Sequence, residues 1–137
     1  MTSKDAWYPT KFTSSRSVKL QGMTLPTLFA ASVTPLTPQS TICGPSLARH
    51  LAFLESKGCQ GVVVAGTNGE GPSLSAVEKR DLVRLAVQAR GKLYVVLGLA
   101  TCSLPEAIWL SEQAAKAGAI AVMATVPYAF RPVVDEA

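Results

Sequence analysis

Charge is sparse in this chain, histidine is nearly absent, and no apolar run approaches the length of a membrane span. Of 137 residues, 16% are Asp, Glu, Lys or Arg, one is His and three are Cys. A membrane helix needs about 20 consecutive apolar residues, so the short runs here predict a soluble protein without a membrane partner. The single histidine, His50, sits between Arg49 and Leu51 with no second histidine or acid at ligand spacing, and no metal site is expected. Cys43, Cys59 and Cys102 are odd in number and lack a C-x-x-C pair. That pattern argues against a disulfide framework and for buried thiols in an intracellular, most simply cytoplasmic, setting. The formal net charge is +4, but Met1 to Thr24 holds Lys4, Lys11, Arg16 and Lys19 against Asp5 alone, which is +3 of it. The remaining bases are interleaved with glutamates on helical segments, so no nucleic-acid partner is expected.

Apolar residues make up 48% of the chain, a globular composition. Two parts are read: residues 1–24, a basic and flexible arm, and residues 25–137, a folded domain. The arm is Ser/Thr-containing and nearly free of acids, which loosely resembles an organellar transit peptide and leaves a mitochondrial setting as the alternative. Asp5 and Pro9 interrupt any amphipathic helix there, and a solvated tail is the expectation.

Beyond the arm, strand-like and helix-like segments alternate with a period of about 30 residues, the length of one βα unit. Strands are predicted over Leu28 to Val33, Gly61 to Ala65, Leu93 to Leu97 and Ile120 to Val126. All are short continuous apolar runs, as expected of parallel strands buried on both faces. Helix starts are marked by Ser75-x-x-Glu78 and Ser103-x-x-Glu106, each with the spacing of a capping box, and by Pro105 in a first turn where no intrahelical N–H is lost. The expected buried stripes are Leu47, Leu51 and Leu54 in the first helix, Leu82, Leu85 and Ala86 in the second, and Ile108, Ala114 and Ala115 in the third. Gly58, Gly91 and Gly118 stand where helix ends call for a left-handed residue.

The segment Gly66-Thr67-Asn68-Gly69-Glu70 follows the second strand and precedes the second helix, where α/β proteins build anion and substrate sites. Glycines permit a tight turn and close approach of backbone to ligand, while Thr67 and Asn68 offer a hydroxyl, a carboxamide and N–H groups to a carboxylate. It lacks the Gly-Lys-Ser/Thr ending of a P-loop and misses the dinucleotide-binding spacing. The segment resembles the GTTGE signature of the dihydrodipicolinate synthase / N-acetylneuraminate lyase family of pyruvate-handling aldolases, with Asn68 in place of the second threonine. That Asn variant is similar to 4-hydroxy-2-oxoglutarate and 2-keto-3-deoxy-acid aldolases within the family. Phe29-Ala30-Ala31-Ser32-Val33-Thr34-Pro35 resembles the family's first strand with its TP ending. Val126-Pro127-Tyr128-Ala129-Phe130-Arg131-Pro132 resembles its TPYY-x-RP segment, with Tyr128 matching the first tyrosine and Ala129 replacing the second.

The resemblance implies a (β/α)8 TIM barrel of which this chain carries about the first four βα strands; from the residues alone, an open four-stranded α/β sheet is the alternative. It also implies a lyase acting on pyruvate or a related 2-keto acid through a lysine Schiff base, without metal or organic cofactor, in a homo-oligomer of complete barrels. Thr67, Asn68 and Gly69 are the implied substrate-binding residues and Tyr128 the implied catalytic one; turn satisfaction for the first three and packing for the tyrosine are the bland readings. Glu70 is expected to anchor its loop rather than act as an acid, and Thr34 and Pro35 to fix the first loop. The resemblance implies an imine-forming lysine at the end of the sixth strand, and an amine must be desolvated or next to a cation to be nucleophilic at neutral pH. Lys4, Lys11 and Lys19 lie in the arm, Lys57 and Lys116 at helix ends, Lys79 in a first helical turn and Lys92 before the third strand. The chain by itself therefore reads as a truncated, inactive lyase lacking the imine-forming lysine. The alternative is a non-catalytic half-barrel that binds a small carboxylate or a partner subunit.

Overall fold

The computed structural model describes residues 28–125, in which strands and helices alternate strictly. Strands β1 (Phe29–Ala31), β2 (Gly61–Val64), β3 (Tyr94–Gly98) and β4 (Ala121–Met123) alternate with helices α1 (Gly44–Ser56), α2 (Ala76–Ala89) and α3 (Leu104–Ala117). The strands form one sheet in the order β1-β2-β3-β4, all neighbours parallel, with Val62 opposite Ala30 and Val95, and Leu97 opposite Val64 and Val122. Spatial order thus repeats chain order, without the reversal that defines a doubly wound sheet. Helix α1 packs on α2 and α2 on α3, a single helical layer of the kind that rings a βα barrel.

Each strand lies about as predicted; β1, β2 and β4 are shorter than expected, and β3 is displaced by one residue towards its carboxyl end. Residues 1–27 and 126–137, which include the basic arm and the segment around Tyr128, lie outside the described residues. The prediction of strands buried on both faces is corrected. Val62, Val64, Val95 and Leu97 face the helices and are fully buried, whereas Val63 and Val96 on the other face are half-buried and Met123 is 42% exposed. Alternation along a strand puts successive side chains on opposite faces, and among the described residues the helices cover only one of them.

The helices form where their local signals place them. Ser75 accepts a hydrogen bond from the Glu78 N–H, while the Glu78 carboxylate accepts from the Ser75 N–H at 2.8 Å, completing the capping box. Ser103 likewise accepts from the Glu106 N–H, but Ser103 N–H turns to Thr101 Oγ1 at 3.1 Å and Glu106 does not return to it, so this box is only half formed. Gly58, Gly91 and Gly118 take φ of +88°, +56° and +93°, as the helix-end pattern predicted. Leu47 and Leu51 of α1 and Leu82 and Ala86 of α2 are fully buried, with Leu54 and Leu85 packed at the edge of the core. The stripe expected on α3 is corrected: Ile108 is 54% exposed and Ala115 exposed, and the buried residues are Leu110 and Ala114. Leu104, Ile108 and Leu110 spread apolar character around α3, so docking, not periodicity, selects the buried face.

Two outcomes follow from this packing. Leu82 is fully buried in the middle of α2, between α1 and α3, so Leu82→Ala should lower unfolding free energy by about 2–5 kcal/mol, read from urea denaturation. Hydrogen bonds from the Ser75 hydroxyl and backbone hold the Glu78 carboxyl below its ordinary range. A depressed folded-state pKa stabilises above the unfolded value of about 4.3 and loses that contribution as pH falls through the lower folded value. Glu78→Gln should therefore be less stable than the parent at pH 7, with the gap closing towards pH 3 in denaturation midpoints.

Candidate functional site

Immediately after β2 the chain makes a turn of unusual density. Ala65 takes φ +53°, and the carbonyl of Gly66 then accepts from both Gly69 N–H, at 3.1 Å, and Gly71 N–H, at 3.0 Å. Glu70 N–H donates to Thr67 O at 3.1 Å, and Glu70, at φ +55°, opens a short 3-10 turn over Gly71–Ser73. A side chain at Gly71 would collide with the Ala65 carbonyl, and a Cβ at Gly98, the last residue of β3, would lie 2.6 Å from the same oxygen. Both positions need glycine because backbone passes too close for a side chain. Thr34, 7% exposed, donates its hydroxyl to Gly69 O at 2.7 Å. Its role is therefore wider than the first loop: it ties the end of β1 to the turn after β2.

Around this turn a cavity of about 270 Å³ opens at the carboxyl ends of β2, β3 and β4. Gly66 and Thr67 come from the β2 turn, Gly98, Ala100 and Thr101 from the end of β3 and its loop, and Met123 from β4. Ala100, at φ +43°, joins Ala65 and Glu70 at this end of the sheet, so that three of the four described non-glycine residues with positive φ gather here, the other being Ser40. Strain of this kind costs about 1–3 kcal/mol per residue and gathers at ligand sites. Among the described residues, the lining carries no ionised side chain. Its polar groups there are the hydroxyls of Thr67, Thr101 and Thr125, the Cys102 thiol and backbone, a set able to receive a small anion without imposing a countercharge.

Of the residues expected to bind substrate, Thr67 lines the cavity. Asn68 is exposed on the turn and stands outside the lining, and Gly69 is buried, with its carbonyl engaged by Thr34. Tyr128, the expected catalytic residue, lies outside the described residues. Glu70 anchors its loop through backbone, not through its carboxylate, which makes no cap hydrogen bond. Sequence reasoning missed the whole β3 side of the cavity: Ala100, Thr101 and Cys102 follow β3 just as Gly66 and Thr67 follow β2. The rule that picked out the second loop applies equally to the third, but its glycine-poor text drew no notice.

None of the described lysines is among the lining residues, though Lys79 touches one of them, Ala100. Lys57 lies over the Phe53 ring, Lys92 precedes β3 at the opposite end of the sheet, and Lys116 is in the last turn of α3. Lys79 is 3% exposed and donates to Ala100 O and Glu106. Among the described residues no three His, Cys, Asp or Glu side chains stand close enough together to hold a metal ion, and no helix is long and apolar enough to cross a membrane. Elsewhere, hydrogen bonds from Ser46, with a smaller contribution from Arg49, hold the Cys43 thiol below its usual range.

The sequence matches the dihydrodipicolinate synthetase family over residues 24–137. A 4-hydroxy-tetrahydrodipicolinate synthase of Azoarcus sp. is 38% identical over 103 residues, 74% of this chain and 35% of that protein. Another, from Protochlamydia amoebophila, is 33% identical over 80% of this chain and 37% of its own length. The chain thus spans little more than a third of the curated relatives it matches. Dihydrodipicolinate synthase from Aquifex aeolicus superposes with a TM-score of 0.74 at 26% identity, covering 80% of this chain and 37% of that one. N-acetylneuraminate lyase from Proteus mirabilis gives 0.73 at 27% identity, over 79% and 37%. Sheet order, a single helical layer and a cavity at the carboxyl ends of the strands agree with these likenesses, and the described sheet is part of a TIM barrel. The chain belongs to the dihydrodipicolinate synthetase family.

Proposed function

We propose that this chain contributes the carboxylate-binding part of a lyase site for pyruvate or a related 2-keto acid. The observation that carries the reading is the cavity at the strand ends, walled by Thr67 and by a turn whose backbone is locked from three sides. Rigid N–H and hydroxyl groups suit a planar carboxylate, because donors fixed beforehand lose little freedom on binding. A prophage protein of the same family from E. coli K12, which shares the fold at 24% identity with a TM-score of 0.76, was solved in complex with pyruvate.

In the complete protein the reaction would run through a lysine amine attacking the keto carbon, with water leaving as the imine forms. None of the described lysines lines the cavity, so the imine-forming amine is assigned to a position outside the described residues. Tyr128 is proposed to reach the same site and supply a phenolic proton donor. The resemblance of the Asn68 variant to 4-hydroxy-2-oxoglutarate and 2-keto-3-deoxy-acid aldolases favours the 2-keto acids those enzymes act on, and assembly into homo-oligomers of complete barrels belongs to the same reading. A second reading, a non-catalytic module that binds a small carboxylate, draws support from the same lining, which includes none of the described lysines.

Two measurements test this. Pyruvate should perturb the amide resonances of residues 66–69 and 101 while pyruvamide, which lacks the charge, should not, and Thr67→Val should weaken binding about fivefold, the value of one net hydrogen bond. Absence of any pyruvate-dependent shift would sink the ligand assignment. Incubation of the 137-residue chain with pyruvate and borohydride, followed by intact-mass analysis, should leave the mass unchanged; a stoichiometric reduced adduct on one lysine overturns the assignment of the amine.

A further inference from the structure

Lys79 is a first-turn helix residue that ought to point into water, yet its side chain is 3% exposed. A buried ammonium is retained only where acceptors replace its hydration. Two acceptors do so here. The shorter contact, 3.1 Å, is to the backbone carbonyl of Ala100; the longer, 3.5 Å, is to Glu106 Oε1 on α3, whose side chain is 31% exposed. Glu106 is the residue whose spacing predicts a return to the Ser103 N–H. It faces Lys79 instead, and the Ser103 N–H is taken up by Thr101 Oγ1 at 3.1 Å.

Ala100 is the residue in this loop that most needs restraint. It takes φ +43° without being glycine, and its methyl group packs against the space left by the missing side chain of Gly71, 3.1 Å from where a Cβ would stand. The next residue, Thr101, lines the cavity. We infer that Lys79 is a positioning residue: its ammonium grips the Ala100 carbonyl, holds that residue in its left-handed conformation, and so sets where Thr101 stands in the cavity wall. The consequence for ligand affinity rests on the proposed keto-acid reading; the tether itself does not.

The amides of Leu99 and Ser103 bracket the tethered residue and are both hydrogen-bonded, to Met123 O at 3.0 Å and to Thr101 Oγ1 at 3.1 Å. Hydrogen exchange at these two sites, referred to the amides of α1 in the same full chain, separates a local effect from global loosening. Lys79→Met keeps the apolar stem and removes the donor. It should speed exchange at Leu99 and Ser103 about tenfold over the α1 reference, the lower end expected for a hydrogen bond from a charged donor. Glu106→Gln leaves the carbonyl contact in place and should stay within about twofold of the parent, because the ion pair is longer and partly solvated. Should Lys79→Met fail to fold, Lys79→Gln, whose amide falls short of Ala100, takes its place with the same expectation. Exchange that rises equally at all sites, or Glu106→Gln matching Lys79→Met, overturns the inference. Pyruvate titrations of the parent and Lys79→Met run alongside. Weaker binding in the variant supports positioning, and equal affinity with a loosened loop refutes it. A parent chain that does not bind pyruvate refutes the keto-acid reading, while the exchange ratio still decides the role of Lys79.

Discussion

The carbonyl of Ala65 lies where side chains at positions 71 and 98 would have to stand, and much of the site follows from that crowding. With glycine at both places, the turn after β2 folds back against the end of β3, and the two loops share one wall. Ala65 itself is left at φ +53°, a conformation that L residues accept only when surrounding contacts over-determine it. Those contacts are the paired N–H groups of Gly69 and Gly71 on Gly66 O and the Thr34 hydroxyl on Gly69 O. The turn is held from β1, β2 and β3 at once, so its donors are oriented before any ligand arrives.

Rigidity of this kind has a reason in the chemistry of small anions. A pyruvate-sized ligand has few atoms, and each can contribute only a limited free energy, so a site that had to order itself on binding would lose most of the gain. On the proposed reading, lining groups without formal charge would serve the same end, orienting a carboxylate while leaving charge at the reacting carbon to other residues. The elements described here would contribute that orienting part, and the relatives they match are almost three times as long as the matched stretch.

The sequence was most legible where one residue type has one physical job. Ser75 and Glu78 cap α2 reciprocally because only that pair satisfies both free N–H groups, and Gly58, Gly91 and Gly118 end helices at positive φ because a Cβ is costly there. The place of Thr67 in the cavity lining was legible for a similar reason, as a hydroxyl beside glycines at a strand end. Legibility failed where the text allows several placements. Helix α3 offers apolar residues on most sides, and its neighbours α2 and β4 choose Leu110 over Ile108. Ser103 and Glu106 have the spacing of a capping box, but a buried cation drew the carboxylate away.

Lys79 shows why such cases resist a one-dimensional reading. In a helix's first turn a lysine is disfavoured by the macrodipole and is expected to reach for solvent. What holds it in place is a carbonyl 21 residues further on, in a loop brought over α2 by the parallel crossover from β2 to β3. The acceptor is backbone, so no side-chain identity in the partner advertises it. Its availability comes from Ala100 having left the β3 ladder in a left-handed conformation, which itself depends on Gly71 yielding space. A chain of three local facts, none visible alone, converts a surface lysine into a support for the cavity wall, and the order of dependence runs back to the same crowded carbonyl of Ala65.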